Sequence, residues 1–179
     1  MNDLEVSIRQ AEPGDANALA QIGRETFKQA FAHLYAAQDL ENFLERSHSV
    51  QYYRSALACA DAVTWLAHTK DGLPVAYAMA GPCSLPIENP PAQAGELQRI
   101  YLDEAVQNQG LGKQLFDLAM SPLQQHYTAI YLGVYSENYG AQRFYQRAGF
   151  KKCGEYIFMV GQHEDLEWIM EWQGVTMPQ

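Results

Sequence analysis

A glycine-bearing turn between a strand and a helix is the feature that most constrains this chain. The turn is Gln107-Asn108-Gln109-Gly110-Leu111-Gly112-Lys113, which follows an apolar strand-like run over 97–102 and opens a helix-like run over 111–120. Backbone amides at a helix N-terminus have no partner within the helix, and the helix dipole favours an anion beside them. Because Gly110 and Gly112 have no Cβ, a phosphate can approach the main chain closely, and Lys113 adds a positive charge. The turn therefore predicts a phosphate site, and the alternative is a turn that merely joins strand to helix.

Composition places the chain among ordinary globular proteins. Of its 179 residues 47% are hydrophobic and 18% are charged, which suits one domain with its own core over 1–179. No run is apolar for long enough to span a membrane, and residues 1–5 lack the basic and apolar regions of a signal peptide. Cys59, Cys83 and Cys153 are odd in number and far apart, which favours a reducing, cytoplasmic compartment.

Charge and spacing argue against several kinds of ligand. The net charge of −9 disfavours a nucleic-acid partner. It would draw a cationic amine toward the protein, although its simplest role is solubility. The five histidines form no close pair and have no cysteine nearby, so we expect no metal site. The glycine turn has neither the P-loop spacing Gly-x-x-x-x-Gly-Lys-Ser/Thr nor the dinucleotide spacing Gly-x-Gly-x-x-Gly.

The apolar periodicity predicts strands mixed with helices. Strand patterns cover 6–10, 62–68, 73–80, 96–102, 128–135, 150–160 and 166–172. Helical patterns cover 16–35, 111–120 and 138–148, with two shorter helices around 38–44 and 50–57. Ser121-Pro122 either kinks the fourth helix or restarts it. This order predicts an α/β fold, a single domain whose mixed central sheet of about seven strands carries helices on both faces. The two strands of the unit over 96–135 should be parallel neighbours.

A second motif follows the fifth predicted strand. It has the form Asn138-x-x-Ala141-x-x-Phe144-Tyr145-x-x-x-Gly149-Phe150. Together with Gln107-x-x-Gly110-x-Gly112 and the strands around both, it resembles the signature of the GCN5-related N-acetyltransferases, the GNAT superfamily, over 96–150. The segments Glu25-Thr26-Phe27, Asp39-Leu40 and Phe43-Leu44 resemble, more weakly, the bacterial polyamine (spermine/spermidine) acetyltransferase branch.

The resemblance implies an acetyl-CoA site between the fourth and fifth strands. In this family the two strands splay apart, helped by a bulge on the fourth, and unpaired main chain receives the pantetheine arm like an added strand. The resemblance assigns that main chain to Ile100, Tyr101 and Leu102. It assigns the pyrophosphate to the amides of Gln107, Asn108, Gln109, Gly110, Leu111, Gly112 and Lys113. It also implies that Asn138 hydrogen-bonds the pantetheine arm and that Ala141 and Phe144 pack along it.

Tyr145 and Glu96 are the residues predicted to carry acetyl transfer. The reaction expels a thiolate, which the Tyr145 phenol can protonate or hydrogen-bond, although Tyr145 could also be a core aromatic residue. The acceptor amine must be neutral to attack, and an alkyl amine has a reference pKa of about 10.4. Strand alternation places Glu96 on one face with Gln98, Ile100 and Leu102. Its carboxylate could take the proton directly or through a water, or it could be an exposed strand end.

Three aromatic residues are candidates for the substrate side of the site. Phe31 and Tyr35 lie about one helical turn apart near the end of the first helix, where they could line a substrate opening, and Phe31 could instead pack in the core. Tyr135, at the end of the fifth strand, could shape the same opening.

The predicted function is acetyl-CoA-dependent acetylation of a primary amine by direct attack in a ternary complex. The small-molecule acceptor is a simple amine or a polyamine, and the alternative is a protein or peptide amine. We expect no membrane partner, and family habit favours a homodimer. The rivals are a non-catalytic acyl-CoA binding or sensing domain and a nucleotide-binding module of another kind.

Overall fold

The structure is a computed structural model that describes residues 5–174. Its strands are β1 (Val6–Gln10), β2 (Val63–Thr69), β3 (Pro74–Pro82), β4 (Ala94–Leu102), β5 (Ala129–Tyr135), β6 (Phe150–Val160) and β7 (His163–Trp172). Its helices are α1 (Ala16–Phe31), α2 (Ala37–Ser47), α3 (Val50–Ala58), α4 (Leu111–His126) and α5 (Tyr139–Arg147). Short 3-10 turns cover Pro13–Asp15, Ala32–Leu34 and Glu104–Val106. The predictions for residues 1–4 fall outside the described residues, as do residues 175–179.

The strands form one mixed sheet. Their order across the sheet is β1-β2-β3-β4-β5-β7-β6. Neighbouring strands are antiparallel except β4 and β5, which are parallel. The predicted α/β fold class and the parallel pair around the glycine turn are therefore confirmed. The last strand within residues 5–174, β7, lies between β5 and β6, so it borders the strand that follows the turn.

Apolar side chains bury both faces of the sheet. On the face covered by α4 and α5, here the α4 face, the core includes Leu115, Leu123, Leu132 and Phe150. On the face covered by α1, α2 and α3, here the α1 face, two clusters include Leu19, Ile22, Tyr53, Tyr77, Phe27 and Leu44. Alternation along the strands serves both cores, since Ala78 faces α4 while Tyr77 and Met79 face α1. The two helix layers thus hold the sheet from both sides.

Several element boundaries differ from the predicted ones. The first helix stops at Phe31, where the backbone leaves helical dihedrals, and Tyr35 then reaches Asp165 of β7. The fourth helix does not end or restart at Ser121-Pro122 but runs on to His126. Burial of Leu123 against the sheet outweighs the hydrogen bond that the proline cannot donate.

The turns next to the strands are also shorter than predicted. The Pro-rich loop narrows because β3 extends through Pro82 and β4 already begins at Ala94. The last turn contracts to Gly161 and Gln162, since β6 and β7 pair as far as Val160 and His163. A φ of 60° at Gly161 fits a residue without a Cβ in this tight hairpin.

A gap opens between β4 and β5. The two strands pair only from Ala94 to Glu96 against Ala129 to Tyr131, and no pairing continues toward Leu102 and Tyr135. An extra residue, Gln98, interrupts β4, because Ala80 of β3 pairs with Leu97 and Met79 pairs with Arg99. A bulge of this kind bends a strand away from its neighbour. The predicted splay and bulge are therefore confirmed, and the main chain of Ile100–Leu102 has no strand partner on its β5 side.

Candidate active site

The gap between β4 and β5 opens into a cleft of about 590 Å³. Both faces of the sheet contribute to its walls. The α4 face contributes Ile100, Leu102, Val134, Ala141 and Tyr145. The α1 face contributes Thr26, Phe31, Arg99, Tyr101, Tyr135 and Glu167. A molecule held in the gap can therefore meet side chains from both sides of the sheet.

The glycine turn carries free amides, and its first residue, Gln107, borders this cleft. The Gln107 side chain lines the cleft and donates a hydrogen bond to the Leu102 carbonyl at 3.1 Å, which fixes the turn to the end of β4. Gly110 caps α4 with a φ of 81°, and a Cβ built there would meet nothing within 4 Å. Within residues 5–174 nothing accepts a hydrogen bond from the amides of 108–113. The Gln107 amide, which was predicted with them, instead donates to the Glu104 carbonyl at 3.3 Å. The turn can therefore receive an anion as the start of a helix does.

Lys113 and Phe144 border a second cavity rather than the cleft. This cavity of about 530 Å³ lies between α4 and α5. The Lys113 ammonium also forms an exposed ion pair with Asp117 at 2.6 Å, so its charge is partly compensated. Phe144 packs edge-on against Phe116, with ring centroids 5.3 Å apart. The predicted contact of Phe144 with a pantetheine arm therefore has no support from the lining of the cleft.

The N-terminus of α5 brings three of the predicted residues together. Asn138 is the N-cap, and its Oδ1 accepts a hydrogen bond from the Ala141 amide at 3.1 Å. Its side-chain N–H groups make no hydrogen bond within residues 5–174, so they remain available as donors. Asn138, Ala141 and Tyr145 all line the cleft, because they follow one another at helical spacing.

Tyr145 joins the core to the cleft. Its ring packs against Phe144 and Phe150 at centroid distances of 5.4 and 6.0 Å. Its hydroxyl makes no hydrogen bond within the described part of the chain and borders the cleft. Burial raises the pKa of the Tyr145 phenol, which keeps it protonated at neutral pH. It can therefore donate a proton or a hydrogen bond to a group held in the gap.

Glu96 lies at the closed end of the gap and not among the residues that line the cleft. Its Oε2 accepts hydrogen bonds from the backbone N and the Oγ of Ser84, at 2.8 and 3.0 Å. Burial raises the pKa of the Glu96 carboxyl, and the Ser84 hydrogen bonds oppose that rise. The carboxyl is buried, so the alternative of an exposed strand end is wrong.

The face that was predicted for Glu96 is also wrong. The bulge at Gln98 shifts the alternation by one residue, so Glu96 shares the α1 face with Arg99 and Tyr101. Ile100 and Leu102 instead pack against the α4 core. A carboxylate on the α1 face is on the opposite side of the sheet from Tyr145.

The three predicted substrate-side aromatics divide into two groups. Phe31 and Tyr135 both line the cleft, and their rings meet edge-on with centroids 6.1 Å apart. Tyr35 lies behind this wall, where its ring stacks on Phe27 at 6.2 Å and its hydroxyl donates to the buried Asp165. Tyr35 therefore supports the cleft and does not border it.

Glu167 is a cleft residue that sequence reasoning did not find. It lies on β7, in register with Tyr135 of β5 and Tyr156 of β6. Burial, with a smaller contribution from the neighbouring Asp165, raises the pKa of the Glu167 carboxyl to about 8. The available signal was the alternation of acidic residues with apolar ones in the last strand. Acidic residues are rarely buried without a partner, so an acidic position in a sheet strand can mark a functional site.

Arg99 is a second residue that was not predicted. Its Nη1 donates to the Ser47 carbonyl at 2.8 Å and to the Tyr53 hydroxyl at 2.9 Å. Its guanidinium also lies 4.4 Å from the Tyr52 ring centroid, as in a cation–π contact. These contacts tie β4, just past the bulge, to the junction of α2 and α3. Arg99 therefore helps to set the position of the cleft wall.

Residues 5–174 contain neither a cluster of metal ligands nor a membrane-spanning helix. In that range no three histidine, cysteine, aspartate or glutamate side chains come together as ligands for a metal ion. None of the helices described there is long and apolar enough to cross a lipid bilayer.

Comparisons with known proteins agree with this geometry. The sequence profile of the Acetyltransferase (GNAT) family matches residues 28–150, which is more than half of the chain. An uncharacterized N-acetyltransferase from the pepI 3′ region of Lactobacillus delbrueckii subsp. lactis is 26% identical over 167 residues, covering 93% of this chain and 96% of the relative. The spermine/spermidine N(1)-acetyltransferase of Bacillus subtilis is 39% identical over 64 residues, covering 35% of this chain and 42% of that enzyme.

A solved structure shares the fold. The crystal structure of the PaiA N-acetyltransferase from Thermoplasma acidophilum, in complex with coenzyme A, superimposes with a TM-score of 0.73 at 21% sequence identity. The match covers 94% of this chain and 98% of that one. The predicted family resemblance is thereby confirmed, together with its weaker likeness to the polyamine branch. The chain belongs to the GNAT family and is an N-acetyltransferase.

Proposed function

We propose that the protein transfers the acetyl group of acetyl-CoA to a primary amine by direct attack in a ternary complex. The observation that carries the proposal is the gap between β4 and β5, with the Tyr145 side chain on its wall and the free amides of the turn following Gln107, which borders it. The PaiA relative, which shares this fold, was crystallised with coenzyme A. Acetyl-CoA as cosubstrate supplies the activated thioester.

The residues around the gap fit an extended thioester with a diphosphate at its far end. The unpaired main chain of Ile100–Leu102 can hydrogen-bond an amide-containing arm as a neighbouring strand would. The amides of 108–113 can receive the diphosphate. The free N–H groups of Asn138 and the small side chain of Ala141 would face the arm from α5. In this proposal proximity and orientation supply much of the rate.

The chemistry requires proton transfer at two points. The amine loses a proton and forms a C–N bond to the acetyl carbon, and the C–S bond breaks. The thiolate that leaves takes a proton from Tyr145, which its raised pKa keeps in the protonated form. Glu96 stays a candidate for relaying the amine proton through a water. No cysteine lines the described cleft, which favours direct transfer over an acetyl-enzyme.

The lining of the cleft favours a small cationic acceptor, with a polyamine as one case. Glu104, Glu137 and Glu167 border it, aromatic side chains line it as well, and the net charge is −9. Carboxylates and aromatic faces both attract an ammonium group. The Bacillus subtilis relative is named for spermine and spermidine. A protein or peptide amine is the alternative. We also propose a cytoplasmic location, which suits three unpaired cysteines, and a homodimer.

An acetyl-CoA consumption screen over polyamines, amino acids, aminoglycosides and peptides tests the proposal. We expect turnover with at least one amine, together with thermal stabilisation by coenzyme A and none by ATP or NAD. Stabilisation by coenzyme A without turnover on any amine would instead support an acyl-CoA sensor. Stabilisation by ATP or NAD alone would support another nucleotide-binding module. If spermine and spermidine are inert while another amine is acetylated, only the proposal of a polyamine acceptor is wrong.

A further inference from the structure

Glu167 presents a carboxylate to the cleft without a partner. No described residue donates a hydrogen bond to either of its side-chain oxygens or forms an ion pair with it. Gly133 of β5, beside it, keeps the opening clear, because a Cβ there would lie 3.8 Å from the Glu167 Oε2 and 3.1 Å from the Tyr156 hydroxyl. A side chain at position 133 would therefore crowd the space in front of the carboxylate.

The groups that face Glu167 are neutral or acidic. They are Asp165 on its own strand, Tyr35 after α1, Tyr101 on β4, Tyr135 on β5 and Tyr156 on β6, and Glu96 also lies near Tyr156. The His163 Nε2 lies 3.2 Å from the Asp165 Oδ1, and its ring packs edge-on against Tyr35. Arg99 is held by Ser47 and Tyr53. A buried carboxylate without a cation nearby is strongly stabilised when a cation binds beside it. Arg99 lines the same cleft, but its contacts are with Ser47 and Tyr53, so an acceptor ammonium would bring the positive group that Glu167 lacks.

Glu167 and Tyr145 lie on opposite sides of the gap. Glu167 shares a face of β7 with Asp165 and Ile169, whereas Met170 on the other face packs in the same core as Tyr145. Both residues nonetheless line the one cleft. An acceptor reaching the thioester from the Glu167 side would expel the thiolate toward the Tyr145 side.

We propose that Glu167 binds the acceptor's ammonium group and takes up its proton before attack. This role rests on the proposed acetyl transfer. The ammonium proton passes to the carboxylate, and the nitrogen lone pair forms the C–N bond to the acetyl carbon. The C–S bond then breaks, and Tyr145 gives its proton to the sulfur. The second proton of the nitrogen returns to the Tyr145 oxygen through water, and Glu167 releases its proton to solvent.

The variant Glu167→Gln tests the role, with an amine found in the screen and kcat/KM measured from pH 6 to 10. The wild-type kcat/KM should rise through a pH near 8, where the carboxylate becomes charged. In Glu167→Gln this rising limb of the pH profile should vanish, and kcat/KM at pH 7.5 should fall about 100-fold below the wild-type value. The difference in kcat/KM between the variant and the wild type should shrink toward pH 10, since free amine then forms in solution. Calorimetric affinity for coenzyme A should not change.

Three further variants separate this role from others. Glu171→Gln, on the same strand and face but outside the cleft, should keep the wild-type profile. Asp165→Asn removes the neighbouring charge and should move the limb to lower pH. The role is overturned if Glu167→Gln keeps the rise in kcat/KM near pH 8. Loss of that rise in Glu96→Gln instead would assign the proton transfer to Glu96.

Stability gives a readout that does not depend on turnover. A carboxyl whose pKa is raised in the folded state binds more protons there than when unfolded, so the wild type loses stability as the pH rises from about 4 to about 8. Glu167→Gln should therefore raise the Tm at pH 9 and leave it nearly unchanged at pH 4. An equal loss of Tm at both pH values would indicate a structural role and overturn the proposal. A wild type that turns over no amine overturns the proposed function itself.

Discussion

Tyr145 combines a ring that belongs to the core with a hydroxyl that faces the cleft, and the two contributions can be separated. Tyr145→Phe keeps the ring contacts with Phe144 and Phe150 and removes only the proton donor. We expect kcat to fall about 100-fold, while the affinity for coenzyme A and the Tm stay close to the wild type. Stopped-flow detection of free thiol, beside calorimetry and a thermal melt, measures all three quantities.

A matched control exists on the same helix. Tyr139 is 61% exposed, and it is not among the residues that line the cleft. Tyr139→Phe should therefore leave kcat unchanged. Full activity in Tyr145→Phe would show that the thiolate leaves without help from this phenol.

The two glutamates show where residue-scale reasoning from the sequence stops. Tyr145 could be chosen from its place in a motif, and the structure puts it at the cleft. Glu96 was chosen from strand alternation, which one extra residue on β4 reverses. The alternation in β7 could single out Glu167 but could not place it at the cleft, because that depends on β7 lying beside β5, and chain order does not reveal this insertion.

At the scale of elements, the start of α4 is the testable unit. A Cβ at Gly112 would contact the Leu102 side chain at 3.7 Å, which is an ordinary distance, so the position tolerates substitution. Gly112→Asp adds a negative charge where a diphosphate is proposed, and Gly112→Asn adds the same shape without the charge. We expect coenzyme A to bind the Asp variant about tenfold more weakly than the Asn variant. An acidic residue also suits a helix N-terminus, so the Tm of the Asp variant should be no lower than that of the Asn variant.

Ligand and salt controls sharpen the comparison of the two Gly112 variants. Pantetheine, which lacks the diphosphate, should bind both variants equally in calorimetry. The difference for coenzyme A should narrow as salt is added, because an exposed charge pair is screened. Equal affinities for coenzyme A at low salt would place its diphosphate somewhere other than this turn.

The elements themselves were largely predictable, and their ends were not. Periodicity found the strands and helices, because each buries one face against the sheet. Pro122 suggested a break in α4, yet the helix continues past it, with Leu123 buried against the sheet. Phe31 ends α1 earlier than its periodicity indicates, since Tyr35 turns toward Asp165 of β7. Such long-range contacts override local preference.

At the scale of the whole molecule, the packing of both faces holds the gap open. Past the bulge, β4 anchors Tyr101 in the α1 face, where its ring stacks on Tyr77 at 5.9 Å. It anchors Ile100 and Leu102 in the α4 face. On the other side, β5 pairs with β7 along its length from Tyr131 to Tyr135. Because packed interiors deform little, we expect the gap to exist before any ligand arrives.

Amide hydrogen exchange with and without coenzyme A tests this account most directly. If the cosubstrate lies in the gap, the amides of 98–102 and of 108–113 should exchange more slowly in its presence, while those of β1 and of 94–96 should not change. The Gly112→Asp variant should lose this protection at ligand concentrations that protect the wild type. Protection that appears only elsewhere, or no protection at saturating coenzyme A, would contradict a cosubstrate site between β4 and β5.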